Sequence, residues 1–517
     1  MSRLRKLTLA VVSSYAQLGV TALYGLASVP LALHYLSRKE FALWALMTSL
    51  NGYLTLIDLG MSGSISRFLI DAKDKRLDGS YGSMIKTGWT VLCVQGILLC
   101  LVSQLTAPLI CAALKIEPEF YSQFLAMLRW QGLFLGTEFA ARVSSQLLQA
   151  HQRYDVLNYG GIMGVLLNFS CQWAFFHAGG GVFSLVWAWM IGGLVNFSFQ
   201  FVACKRLGLF PERNEWGKLS GAQFRELFSY GKDIFLVTLG SQLIMASQTM
   251  IVKRTLGLEA TAMWAVGTKV FNLLTQIIWK PFDFSCAAFA EMMARGETTL
   301  LRERYRSAVI LSFSFVAWAA VSFASANSLF VTLWTHGKIR WAPTNDWLLA
   351  AWMICLTGGH CYNMFVLTAK QIGFMRYVYF FEGLVFVSAS FSLAPWGGVA
   401  AVIAASVMCS SLFSGAYGVF RISRHFNLPL RDVLLDWTRP MIKVLALYLP
   451  VSLLAQWVLA PFSDVVRLAS DVALAVTFGV FCFLRYGVPR NSQSELLDRV
   501  PVRIASLLGH VFIQPVK

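Results

Sequence analysis

The stretch ALWALMTSLNGYLTLI, Ala42 to Ile57, stands 220 positions before AMWAVGTKVFNLLTQI, Ala262 to Ile277. Identities fall at Ala42/Ala262, Trp44/Trp264, Ala45/Ala265, Thr48/Thr268, Leu54/Leu274, Thr55/Thr275 and Ile57/Ile277. Leu and Ala matches between apolar helices arise easily by chance, whereas the Trp and Thr pairs do not. A weaker echo sets LLQAHQ (Leu147–Gln152) over VLTAKQ (Val366–Gln371) at an offset of 219. A duplicated segment at this spacing predicts two related lobes of about six helices each, built as a parallel repeat because the number of spans per lobe is even.

Outward from these segments, roughly fourteen apolar stretches of about twenty residues follow one another between Leu7 and Leu484, each long enough to cross a bilayer core. With 57% hydrophobic and 13% charged residues, a soluble chain would lack the polar side chains to cover its surface. The expected fold class is therefore an all-α polytopic membrane protein with about 14 transmembrane helices: two pseudo-symmetric six-helix lobes around a central cavity, plus two extra C-terminal helices. The expected boundaries are 1–204 for the first lobe, 205–228 for a cytoplasmic linker and 229–420 for the second lobe. Two further spans cover 421–484, and a cytoplasmic tail 485–517. KRLGLFPERNEWGKLSGAQ, Lys205–Gln223, marks the linker by its Pro, Gly and charges. In the tail, Leu496, Leu497, Val500, Ile504 and Leu507 share one helical side, the pattern of an interfacial helix over Ser494–Leu508.

The loops are short, which leaves no room for a soluble catalytic domain of ordinary size. The formal charge of +17 is spread over alternate loops and does not form a nucleic-acid patch: roughly 33 Lys and Arg fall in the amino-terminal tail and even loops, against roughly 8 in odd loops. Both termini are expected in the cytoplasm, in contact with anionic membrane lipids. The ten cysteines fall mainly inside apolar spans, without metal-ligand or redox spacing. No nucleotide-binding loop occurs, and Gly179-Gly180-Gly181 reads as a turn. No metal, no bound cofactor and no catalytic residues are expected. Met1–Lys6 and the long span after it lack a signal-peptide pattern, so the first span is expected to remain as a helix.

Polar residues at helical spacing identify the spans that meet water. Thr48, Asn51, Thr55, Asp58 and Ser62 share one face of the second span, and Lys269, Asn272, Gln276, Lys280 and Asp283 do so in the eighth. The first span carries Ser13, Gln17, Thr21, Tyr24 and Ser28, and the seventh Thr238, Gln242 and Thr249. Single Ser and Thr hydroxyls serve equally well as helix glue at about 0.6 kcal/mol a pair. Four stripes at equivalent positions of two lobes favour a water-accessible cavity. Its expected lining is Lys269, Gln17, Thr21, Tyr24, Asn51, Thr55, Asp58, Gln242, Asn272 and Gln276. An ammonium inside a span costs at least about 2.5–3.5 kcal/mol, so Lys269 either pairs with Asp58 or binds an anion. Glu138 and Arg142, four apart with the acid first, read as an intrahelical pair. Arg129, Glu382 and His360 are further intramembrane polar groups.

The stretch LHYLSRKEFALWALMTSLNGYLTLIDLGMSGSISRFL (Leu33–Leu69), together with LLQAHQRYDVLN (Leu147–Asn158), resembles bacterial polysaccharide flippases of the Wzx type. These belong to the multidrug/oligosaccharidyl-lipid/polysaccharide exporter superfamily. The resemblance spans roughly residues 1–425 and implies a transporter, not an enzyme, of the bacterial cytoplasmic membrane. Its implied task is to flip an undecaprenyl-pyrophosphate-linked oligosaccharide by alternating access, alongside other polysaccharide-assembly proteins. A coupling ion, H+ or Na+, belongs to the same implication. Lipid II flippases of the superfamily place arginines in the first span, and none lies between Leu7 and Ala32 here. Within the superfamily the competing reading is a drug or organic-cation antiporter, which the cationic Lys269 disfavours. A membrane glycosyltransferase or ligase would need a larger external loop than His336–Asp346.

Overall fold

The computed structural model describes residues 3–72, 79–369, 371–489, 493, 497 and 512, and every regular element among them is helical. After α1 (Arg3–Tyr35), a capping box starts α2 (Arg38–Leu54): the Ser37 hydroxyl accepts from the Glu40 amide, and the Glu40 carboxylate accepts from the Ser37 amide. A 3-10 turn, Thr55–Asp58, then leads through left-handed Leu59 and Gly60 into α3 (Met61–Ala72). There follow α4 (Ser80–Ala113), α5 (Pro118–Ala150), α6 (Tyr154–His177), α7 (Phe183–Arg206), α8 (Gly221–Met245) and α9 (Ser247–Leu256).

The helix boundaries repeat with the sequence echo. Arg38 opens α2 and Leu258 opens α10 (Leu258–Gly267), 220 positions on. α11 (Lys269–Arg295) continues α10, and α12 (Thr298–Trp334) and α13 (Pro343–Thr368) follow as α4 and α5 follow α2 and α3. The Met375–Ser410 helix, α14, holds two arms, because Gly398 at φ 60° breaks it. A π-turn at Ser411–Gly415 joins it to α15 (Ala416–His425), and α16 (Arg439–Val458) and α17 (Asp464–Leu474) come after it. α11 continues without interruption through Asp283 to Arg295.

The chain folds as two compact units, Met1–Ala262 and Met263–Lys517. The first is centred on Leu92, Leu99, Leu135, Phe139 and Leu147, where α4 and α5 cross. They approach so closely at Gly96 that a Cβ there would overlap the Gly136 carbonyl oxygen, as expected where small residues mediate packing in lipid. The expected linker is held on the first turns of α4. Tyr81 Oη donates to the Leu209 carbonyl at 2.8 Å, Ser83 Oγ to that of Lys218 at 2.6 Å, and the Ser220 amide to Thr87 Oγ1 at 3.2 Å.

In the second unit Tyr305 is fully buried among Phe282, Phe289, Phe365 and Trp437. α16 lies on α12, where Ser322 and Tyr448 share a hydrogen bond of 3.0 Å and Gln456 donates to the Ser325 carbonyl at 3.1 Å. In a bilayer these bonds supply attraction that apolar contact cannot, because lipid is as apolar as the helix.

Eight helices among the described residues are long and apolar enough to cross a membrane. Two segments outside that set carry a break or charge: α2 gives way to α3 at the 3-10 turn, and α5 holds Arg129, Glu138 and Arg142. The interfacial helix expected over Ser494–Leu508 lies outside the described residues.

Candidate functional site

The second-span stripe is divided by the helix break. Asn51 Oδ1 accepts from Gln131 Nε2, which also donates to the Met47 carbonyl at 2.6 Å. Gly52 faces Gln242 of α8, and the next residue, Tyr53, shares a hydrogen bond with Ser247, the first residue of α9. The Thr55 hydroxyl turns back onto the Gly52 carbonyl at 3.0 Å. Asp58 caps α3 by accepting from the Ser62 amide at 3.2 Å, and Gln95 Nε2 donates to the carbonyls of Ile57 (2.9 Å) and Asp58 (3.0 Å), satisfying groups the break would otherwise orphan. With Leu59 and Gly60 both at positive φ, Ser62 belongs to a different helix from Thr48.

The partner of Asp58 in its own unit is Arg142. Its Nη1 stands 3.8 Å from Asp58 Oδ1, its Nη2 reaches Glu138 Oε1 at 3.1 Å, and its guanidinium lies 4.1 Å from the Phe139 ring centroid. The intrahelical Glu138–Arg142 pair is as the sequence spacing predicts. Arg129 is exposed.

On α1, three of the striped residues turn toward α6. Ser13 accepts from Asn158 Nδ2 at 2.8 Å, and Gln17 packs against Gly161. Tyr24 Oη accepts from Gln172 Nε2 at 2.7 Å and Asn168 Nδ2 at 3.3 Å. Thr21 is exposed. Asn158, Asn168 and Gln172 escaped the sequence reading, although the four-residue spacing of Asn168 and Gln172 inside an apolar span was a usable signal.

The eighth-span stripe is different. Asn272 and Gln276 on α11 are exposed and Lys269 is half-buried, and none of the three side chains has a hydrogen bond or ion pair among the described residues. Polar side chains exposed along an apolar helix require water or a polar ligand, because lipid offers them no partner. The turn before Lys269 is fixed by a buried network: Asn327 Nδ2 donates to the Gly267 carbonyl at 3.1 Å and to Asp346 Oδ1 at 2.7 Å, and Trp341 Nε1 donates to the same oxygen at 2.7 Å. Sequence reading missed these three residues, which lie between spans or singly within one. Further along α11, Asp283 Oδ1 lies 2.7 Å from His360 Nε2 of α13, and Trp279 stacks on the imidazole. Glu382 is buried and accepts from Ser414 through its amide (3.1 Å) and hydroxyl (3.2 Å). No group of His, Cys, Asp and Glu suited to a metal ion occurs among the described residues.

The fold is similar to that of an inward-facing multidrug resistance MATE family transporter of the MOP superfamily, with 14% identity, 78% of this chain and 94% of that chain covered, and a TM-score of 0.66. It is likewise similar to the lipid II flippase MurJ in an inward closed conformation: 12% identity, coverage of 92% and 99%, TM-score 0.61. A third relative in fold is a MOP superfamily transporter from Pyrococcus furiosus, described as having a binding pocket of reverse polarity, at 14% identity, coverage of 82% and 96%, and TM-score 0.61. No curated protein matches the sequence. At these identities the three likenesses establish a shared fold. The polysaccharide biosynthesis protein family matches residues 34–341, more than half of the 517-residue chain. The match takes in nearly all of both stretches that resemble Wzx-type flippases, and the chain belongs to the polysaccharide biosynthesis protein family.

Proposed function

We propose that the protein flips a polyprenyl-pyrophosphate-linked oligosaccharide across the bacterial cytoplasmic membrane by alternating access, for export of cell-surface polysaccharide. The observation that carries this reading is the open polar row of α11, in which Lys269 stands without a protein partner among the described residues, beside exposed Asn272 and Gln276. A lipid-linked sugar needs three things in a bilayer: a counter-charge for its pyrophosphate, hydrogen-bond partners for its glycan, and continuity with lipid for its tail. Lys269 supplies the first and the amides of Asn272 and Gln276 the second. Within the first unit, Thr21, Asn51, Thr55, Asp58 and Gln242 are further sugar-binding candidates, with Gln17 and Tyr24 turned toward α6. Family membership and the resemblance of Leu33–Leu69 support the substrate class. The basic excess of alternate loops supports cytoplasmic termini.

Deletion of the gene tests the reading. The expected phenotype is loss of one surface polysaccharide with accumulation of its lipid-linked precursor on the cytoplasmic leaflet. Unchanged polysaccharide, with sensitivity to organic cations instead, would favour a drug antiporter.

A further inference from the structure

α11 and α13 bring together a group that the pyrophosphate and glycan do not require. His360 Nε2 and Asp283 Oδ1 are 2.7 Å apart. The Trp279 ring lies parallel to the imidazole, with centroids 4.1 Å apart and planes within 3°, and its Nε1 donates to Thr357 Oγ1 at 3.4 Å. Phe282 meets the imidazole edge-on at 6.3 Å. The His360 side chain is 14% exposed and that of Asp283 35%, so one partner is sheltered and the other touches solvent. His360 Nδ1 has no hydrogen-bond partner among the described residues.

We propose that the Asp283–His360 pair is a proton-carrying site that couples proton movement to the transport cycle, an inference that rests on the transporter reading above. The step balances simply: a proton from water adds to the free Nδ1 lone pair, leaving imidazolium against carboxylate, and the same proton leaves to water later in the cycle. Two features fit imidazole to this role. The carboxylate fixes the tautomer by accepting from Nε2 and leaves Nδ1 as the base. The stacked indole attracts the cation through its ring face, worth about 0.5–2 kcal/mol. Loading converts a site of net charge −1 into a neutral one, a large change inside low-dielectric helices.

The charged and titratable groups around the pair are few. Lys280, a half-buried ammonium three residues before Asp283, and Cys286, three after it, share α11. α12 contributes buried Tyr305, whose hydroxyl donates to the Cys361 carbonyl at 3.3 Å, and α13 itself adds Cys361 and Tyr362. Glu382 of α14 is bonded to Ser414, and His425 of α15 packs edge-on against Phe365. Asp283 is therefore the only hydrogen-bonding partner of the imidazole among the described residues.

The stack supplies its own reporter, since an imidazolium quenches a stacked indole much more strongly than a neutral imidazole does. The emission of Trp279 is obtained as wild type minus Trp279→Phe, using the purified full-length protein in detergent. It is expected to fall on acidification, and the fall is expected to vanish in His360→Phe and in His360→Gln. In cells, both His360 variants are expected to reach wild-type abundance and to lose export. A Trp279 signal that ignores pH, or one that titrates unchanged without His360, would overturn the site. So would wild-type export by His360→Gln. None of these results touches the flippase reading, which falls only if deletion of the gene spares surface polysaccharide, and in that case the titration still decides whether the pair binds a proton.

Discussion

Tyr53 and Ser247 share a hydrogen bond at the point where both of their helices are interrupted: α2 gives way to its 3-10 turn two residues beyond Tyr53, and Ser247 is the first residue of α9 after the break at Ala246. One residue back, Gly52 admits Gln242 so closely that a Cβ at Gly52 would overlap the amide oxygen. Further along, Lys253 Nζ donates to the Lys115 carbonyl at 3.1 Å, and Lys39 pairs with Glu117 at 3.3 Å. The seam is made of polar contacts that water can replace.

Alternating access requires such seams to part. A Tyr53→Cys, Ser247→Cys pair in a cysteine-free background is therefore expected to cross-link under mild oxidant and to arrest export, with recovery on reduction. Quantitative cross-linking with undiminished export would show that the seam stays closed throughout the cycle.

Arg142 holds two carboxylates, Glu138 at 3.1 Å and Asp58 at 3.8 Å, with all three half-buried. Arg142→Ala leaves both without a counter-charge and is expected to lower stability by about 1–3 kcal/mol, read as a lower melting temperature in detergent. Glu138→Gln, which keeps one carboxylate paired, is expected to cost less.

The α4–α5 crossing predicts opposite outcomes for two glycines. Gly96→Ala drives a methyl into the Gly136 carbonyl oxygen and is expected to destabilise by about 1–3 kcal/mol. Gly19 of α1 has open space where a Cβ would go, so Gly19→Ala is expected to be neutral or to stabilise by up to about 1 kcal/mol through helix propensity. Thermal melts of the two variants check both.

Water exposure separates the stripes. In the same cysteine-free background, Asn272→Cys and Gln276→Cys are expected to react with a membrane-impermeant thiol reagent, whereas Gln131→Cys and Gln172→Cys, at buried positions bonded to Asn51 and Tyr24, are expected to be protected. Equal protection at all four positions would reduce the α11 row to helix packing.

Much of the fold was legible because bilayer thickness and helical period write themselves into composition and spacing. The 220-residue echo anticipated the matching starts of α2 and α10, and the four-residue spacing of Glu138 and Arg142 anticipated their pair. The site was legible only in part. The Thr48–Ser62 stripe reads as one helical face, yet left-handed Leu59 and Gly60 divide it, and Asp58-Leu59-Gly60 followed by Ser62 carries the cap chemistry that marks the break. The α1 stripe was visible but its partners were not, since period alone cannot say whether a polar face meets water or the amides of another helix. The Asn327–Asp346–Trp341 network behind Gly267 depends on the return of a loop, which no local pattern encodes.

The central claim is that Lys269 meets the pyrophosphate of the substrate, and the most direct measurement is surface polysaccharide in a deletion strain carrying Lys269→Ala or Lys269→Arg at matched abundance. Lys269→Ala is expected to be made at wild-type level but to export nothing, while Lys269→Arg retains part of the export because the charge survives and the geometry changes. Wild-type export by a stable Lys269→Ala protein would contradict it.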